Sequence, residues 1–333
     1  MSKHLTILVP DVQAGPNTIS CIIGAYHIFS GANNYRVENG RDPVFEIHLA
    51  GVAAQSQFIK GMLQIMPQCN VADIKRTDLV VIPAIAPDFE ELATANAPLV
   101  KFITEQYKQG AELACMCTGA YLLASSGLLD KKNCSLHWNT AIHFRSLFPK
   151  VRVQTEKVIT DENGIYTNGG GYSFLNLILY LVEKFYDRAT AIYCSKIFQI
   201  DIDRHTQSDF IIFNGQKSHD DPVVQKAQQY IEDNYFEKIS FEALSRQYAV
   251  GRRNFDRRFI KATGNTPLEY LQRVKIESAK KAFESTRKTI SEVMYEIGYA
   301  DTKAFREIFR KITGLSPLEY KSKYNKEGAL SLS

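Results

Sequence analysis

The sequence predicts an α/β domain built on a parallel sheet, followed by an all-α domain assembled from a duplicated helical unit. Three observations carry this. The first two-thirds of the 333-residue chain alternates short apolar runs with amphipathic stretches, as strands joined by crossover helices do. The last third repeats itself. Residues 255–270 (FDRRFIKATGNTPLEY) return fifty residues later as 305–320 (FREIFRKITGLSPLEY), with nine of sixteen positions identical and no gap. Charge divides along the same line: residues 222–333 hold 21 Lys+Arg against 14 Asp+Glu, while residues 1–221 hold 19 against 22. An acidic front and a basic back point to a polyanion partner for the back alone.

In the front domain, residues 5–9, 44–50, 79–82 and 113–116 are short, apolar and bounded by turns, so each is expected as a strand. Residues 18–29, 89–109 and 120–126 are expected as helices between them. About 210 residues suffice for one α/β core. The apolar run 174–182 is interrupted by Asn176 and too short to cross a bilayer. The start, Met-Ser-Lys-His, runs straight into a strand, so no signal peptide is expected. Six cysteines without framework spacing fit a reducing, cytoplasmic setting. The run 214–222 (NGQKSHDDP) is polar and aperiodic. The domains are therefore placed at 1–212 and 222–325, with a linker at 213–221 and a loose tail at 326–333.

The repeat is chemically legible. Phe255 and Phe259 share one helix face, as do Phe305 and Phe309. Gly264 and Gly314 stand just past a helix end, where a left-handed backbone is needed. Thr266-Pro-Leu-Glu269 and Ser316-Pro-Leu-Glu319 each read as a capping box with proline at the first helical position. A third box, Thr289 to Glu292, opens the helix before the second unit. On the face opposite the phenylalanines lie Arg252, Arg253, Asp256 and Arg257, and then Thr302, Lys303, Arg306, Glu307 and Arg310.

These motifs, with Ile290, Ile297-Gly298-Tyr299, Asp301, Phe309-Arg310 and Ser316-Pro317, resemble the AraC/XylS family of transcription regulators from about Val223 to Tyr324. The resemblance implies seven helices carrying two helix-turn-helix units and a double-stranded DNA partner. The first unit would use residues 241–248 and 252–262, the linking helix 267–284, and the second unit 290–297 and 302–312. It implies base contacts from positions 253, 256 and 257 and from 302, 303 and 307, where arginine pairs with guanine and threonine is less selective. Glu307 stands where the family commonly has arginine, and Tyr295 where it has a small residue. The second unit is therefore expected to contribute less sequence readout.

In the front domain, Cys115-Met-Cys117-Thr118-Gly119-Ala120 has the build of a strand, a tight elbow and a helix. A cysteine at a helix amino end gains thiolate character from the dipole. His137 follows downstream, and Thr167-Asn-Gly169-Gly170-Gly171 opens a later helix, where glycines admit an anion or a close strand. Cys115 is expected to point into the core. Cys115 and Cys117 lack a further Cys/His pair at ligand spacing, so neither a metal nor a cofactor is expected. The run from Cys117 to His137-Trp138 resembles the ThiJ/PfpI, glutamine-amidotransferase-like domains that occur fused to AraC-type modules. That resemblance implies a flavodoxin-like fold over residues 3–200, homodimerisation, and sensing of a small effector such as an amino acid or quaternary amine. The implied pocket is Asp11, Cys117, Thr118, His137, Gly169 and Gly170. Enzymes of the superfamily use the elbow cysteine, a histidine and an acid. Here only Asp11 lies near the acid's position, so a non-enzymatic regulator is expected, acting in the cytoplasm with RNA polymerase as a further partner. A cysteine-dependent hydrolase or thiol sensor fused to a DNA-binding module is the alternative.

Overall fold

The structure is a computed structural model that describes residues 2–10, 14–58, 61–86, 94, 96–217 and 219–325. Two compact units divide the chain, Met1–Gln207 and Ser208–Ser333.

The first unit is a three-layer α/β domain. Its central sheet comprises β1 (Lys3–Val9), β2 (Phe45–Gly51), β5 (Cys69–Asn70), β6 (Leu79–Ile82), β7 (Glu112–Met116), β10 (Ile159–Glu162) and β11 (Ile165–Asn168). They run in the order β10-β11-β7-β6-β1-β2-β5. All pairs are parallel except the β10–β11 hairpin at one edge, an antiparallel element that the sequence reading did not anticipate. Two hairpin-sized additions, β3 (Ser56–Phe58) with β4 (Leu63–Ile65) and β8 (Asn133–Ser135) with β9 (Arg152–Gln154), form separate small sheets.

Period-2 alternation sorts each strand onto two cores. Leu5, Ile7, Val9, Leu79, Val81, Ala114 and Met116 face α1 (Pro16–Glu38), α5 (Phe174–Phe185) and α6 (Arg188–Phe198). Leu8, Val80, Ile82, Leu113 and Cys115 face the other layer, α2 (Ala97–Lys108), α3 (Gly119–Ser125) and α4 (Ala141–Leu147). Both faces being covered explains why these strands read as continuous apolar runs. The helix expected at 18–29 extends over Pro16–Glu38. Of the expected 89–109 helix, Ala97–Lys108 is helical, and 89–93 and 95 lie outside the described residues.

The second unit has seven α-helices among its described residues: α7 (Pro222–Asn234), α8 (Phe241–Gln247), α9 (Arg252–Thr263), α10 (Pro267–Ser285), α11 (Ile290–Glu296), α12 (Thr302–Thr313) and α13 (Pro317–Tyr324). It has two small cores strung on one helix. Tyr270 and Leu271 of α10 pack with Phe255 and Phe259, while Ile276, Ala279 and Phe283 pack with Phe305 and Phe309.

The division after Gln207 falls earlier than the expected domain end at 212. Asp209 pairs with Lys323 at 2.6 Å, Lys280 Nζ donates to the Ile211 carbonyl at 2.6 Å, and the Phe213 N–H donates to Glu277 at 3.1 Å. The Phe213 ring packs edge-on against Tyr270. The polar stretch that follows is also tied down, by Gln228 to the Gln216 carbonyl and by Asp221 to Arg258. Composition assigns residues 213–221 as the interdomain linker. The expected tail 326–333 lies outside the described residues.

Candidate DNA interface and the cysteine elbow

The two helices that bear the candidate residues, α9 and α12, are built alike down to individual hydrogen bonds. Phe255 and Phe259 are fully buried, as are Phe305 and Phe309. Thr263 and Thr313 each donate back to the carbonyl four residues earlier. Gly264 and Gly314 cap the ends at φ +72° and +79°, and the capping boxes at Thr266 and Ser316 are both formed. Tyr270 donates to Glu232 and Tyr320 donates to Glu284. These contacts hold each helix so that its other face meets solvent.

That outer face carries the nine candidate residues. Arg253, Arg257, Thr302, Lys303, Arg306, Glu307 and Arg310 are exposed. Arg252 and Asp256 are half-buried and tied to each other, with Nε 2.9 Å from one carboxylate oxygen and 3.0 Å from the other. The Arg252 guanidinium also lies 5.6 Å from the Phe241 ring. Arg257 donates to Asn254 at 2.9 Å. Arg258 projects elsewhere, into a paired contact with Asp221.

The turns before the two helices differ. Ala249 has φ +54° and Gly298 has φ +75°, so each is the left-handed residue following its supporting helix. Two residues separate Ala249 from α9, whereas three separate Gly298 from α12. A side chain at position 298 would strike the Phe236 carbonyl oxygen, so glycine is required there.

The elbow forms as a sharp turn. Cys117 has φ +50°, a strained conformation for a residue with a side chain. Its N–H donates to the Asn168 side chain at 3.2 Å. Gly119 is dictated by contact, because a Cβ there would sit 2.5 Å from the Pro83 carbonyl oxygen. Thr118 exchanges hydrogen bonds with the Ile85 backbone at 2.7 and 3.1 Å. Cys115 is fully buried beneath the elbow.

Burial overrides the dipole at Cys117. It pushes the thiol up to about 11, although N–H groups of Thr118 and His137 pull it down. Thiolate character is therefore suppressed, contrary to the expectation from a helix amino end. His137 reaches the sulfur through its backbone, while its Nδ1 accepts the Asn139 N–H at 3.2 Å. A neutral ring bonded this way carries its proton on Nε2, and burial lowers its pKa below the ordinary histidine value.

Gly169 gives its space to the Gln207 amide, which donates to the carbonyls of Leu136 at 3.2 Å and Lys157 at 3.0 Å. Gly170 is left-handed at φ +92°, against Ser173. These glycines serve close packing here. Cys117, Thr118, His137, Gly169 and Gly170 thus gather around one elbow, and Asp11 lies outside the described residues. Asn168 and Gln207 were missed. Asn168 lies inside the glycine-rich run 167–171 with nothing local to mark its side chain, and nothing in sequence flags Gln207, which arrives from beyond α6.

Comparison with known proteins assigns both halves. A helix-turn-helix domain model matches residues 244–323, and a DJ-1/PfpI family model matches residues 40–184. The HTH-type transcriptional regulator GbdR of Pseudomonas aeruginosa is 25% identical over 317 residues, covering 93% of this chain and 85% of GbdR. The HTH-type transcriptional regulator ArgR of the same species is 24% identical over 69% of this chain and 70% of its own. A ThiJ/PfpI family protein from Pseudomonas syringae matches in fold, with a TM-score of 0.50, 16% identity, and coverage of 70% of this chain and 87% of its own. By class, the chain is a helix-turn-helix transcription regulator. More narrowly, it joins an N-terminal domain of the DJ-1/PfpI family to a C-terminal AraC-type DNA-binding domain.

Proposed function

We propose that this regulator reads double-stranded DNA with α9 and α12 inserted into successive major-groove segments. The observation that carries the reading is the paired build of these helices, each burying two phenylalanines and turning cationic side chains outward. Arg253 and Arg257 read bases in the first segment. Thr302, Lys303 and Glu307 face bases in the second, and Arg306 and Arg310 supply phosphate contacts. Arg252 and Asp256 act as a tied pair that sets the first helix's charge distribution.

The front domain is proposed to bind a small effector, of the amino-acid or quaternary-amine class, near the elbow, and to pair chains as a homodimer. RNA polymerase is the partner through which bound protein acts, and the cytoplasm is its place. Catalysis through Cys117 is not proposed, since a buried, protonated thiol is a poor nucleophile. Among the described residues, no helix is long and apolar enough to cross a membrane.

The test is fluorescence anisotropy of the full chain on fragments of its own upstream region, over a salt series. Affinity should fall steeply with salt as phosphate contacts release counterions. Footprinting should show two protected segments per protomer about 34 Å apart. Salt-insensitive or absent binding, or a single protected segment, would reject the reading.

A further inference from the structure

A second site lies at the opposite end of the sheet from the cysteine elbow, at the amino ends of β1 and β2. Parallel register places His4 directly beside Glu46. His48, two residues on, shares the face of Glu46. The His48 Nε2 atom is 3.1 Å from one Glu46 oxygen, and the His4 Nδ1 atom is 3.6 Å from the other. One ligand atom from each of the three residues lies within 4.8 Å of the others. The two imidazoles stack with centroids 6.1 Å apart.

The cluster borders a cleft of about 790 Å³ that is lined by both histidines and by Thr6, Cys69, Lys75 and Arg76. Its strands are firmly held. The His4 N–H donates to the Asp78 carboxylate at 2.8 Å, and the Asp78 N–H donates to the His4 carbonyl at 2.9 Å.

The geometry points to a divalent transition-metal site of the zinc class, with His4, Glu46 and His48 as its three protein ligands and a remaining position open to the cleft. Two imidazoles and one carboxylate suit zinc, nickel or copper, whereas calcium and magnesium want oxygen alone. Three ligands with an open position is the arrangement of zinc sites that take an exogenous ligand. Zinc bond lengths of about 2.0–2.2 Å require the three atoms to draw slightly inward. His4 and Glu46 are exposed, so their side chains have room to do so. Lys75 and Arg76 on the cleft wall favour an anion or hydroxide in the open position. Sequence reading found no metal site, because it sought ligands close together in the chain and His4 is separated from Glu46 by the whole of α1.

The full-length protein should be titrated with Co²⁺ and the metal's visible absorption followed, then displaced with Zn²⁺. The expected result is saturable uptake with ligand-field bands of a nitrogen and oxygen site. His48→Ala and His4→Ala should each weaken binding by at least the 10–100-fold that loss of a mere outer-shell partner costs. Cys69→Ser should leave it unchanged, and His48→Asn serves as a gentler variant should the alanine protein fold poorly. Unchanged affinity in the histidine variants, a dominant sulfur-to-cobalt charge-transfer band, or failure to take up either ion would overturn the site.

Discussion

The two helix-turn-helix units share their interiors and differ at their surfaces. Inside, the correspondence reaches single bonds: buried phenylalanine pairs, a threonine bonded back to the last turn, a left-handed glycine, a capping box, and a tyrosine bonded to a glutamate. Outside, α9 begins at Gly251 without a side-chain cap hydrogen bond. The start of α12 is capped by Asp301, whose carboxylate takes the N–H groups of Lys303 and Ala304. The first helix amino end is thus free to meet a phosphate, and the second already holds an acid. At the positions proposed to read bases, the first unit offers Arg253 and Arg257, and the second offers Thr302, Lys303 and an acidic Glu307. Packing constrains the interior to one solution, while solvent leaves the outer face open to divergence.

The largest test of this comparison removes the shared interior. Phe259→Ala and Phe309→Ala should each cost about 3–5 kcal/mol in denaturant unfolding, as buried aromatic truncations do. Costs that differ widely would mean that the two cores, though alike in composition, are not alike in packing.

The next test asks whether the outer faces do different work. Arg257→Ala should cost roughly 1–3 kcal/mol of binding on the cognate site and much less on scrambled DNA, if it reads a base. Arg306→Ala, at a proposed phosphate contact of the second unit, should instead weaken both duplexes more evenly. Equal loss from Arg257→Ala on both duplexes would demote it to a phosphate contact and erase the distinction between units.

The smallest test concerns the turns. Ala249 holds a left-handed backbone that Gly298 adopts without strain. Ala249→Gly should stabilise the domain by roughly 0.5–1 kcal/mol, the left-handed penalty less the extra chain entropy of glycine. A loss of stability would show that the Ala249 methyl makes contacts that outweigh the strain.

Much of the molecule was legible without coordinates. The strand expected at 79–82 and the helices at 241–248, 252–262, 267–284, 290–297 and 302–312 fall on observed elements within a residue or so at each end. Their signals are local: caps, glycine stops and four-residue apolar spacing act over one turn of chain. The elbow was legible for the same reason, since a strand end, a tight turn and a helix start lie side by side in Cys115–Ala120.

The chain itself thus determined which segments fold, where helices begin and end, and which face of each recognition helix is buried. Those outcomes follow from interactions among residues a few positions apart. Only the tertiary structure decided that the Cys117 thiol stays protonated, that Gln207 fills the space beside Gly169, that the stretch after Gln207 is bound to α10, and that His4 meets Glu46 and His48. Each of these depends on desolvation or contact between segments far apart in sequence, and sheet register and burial are fixed only when the whole domain closes.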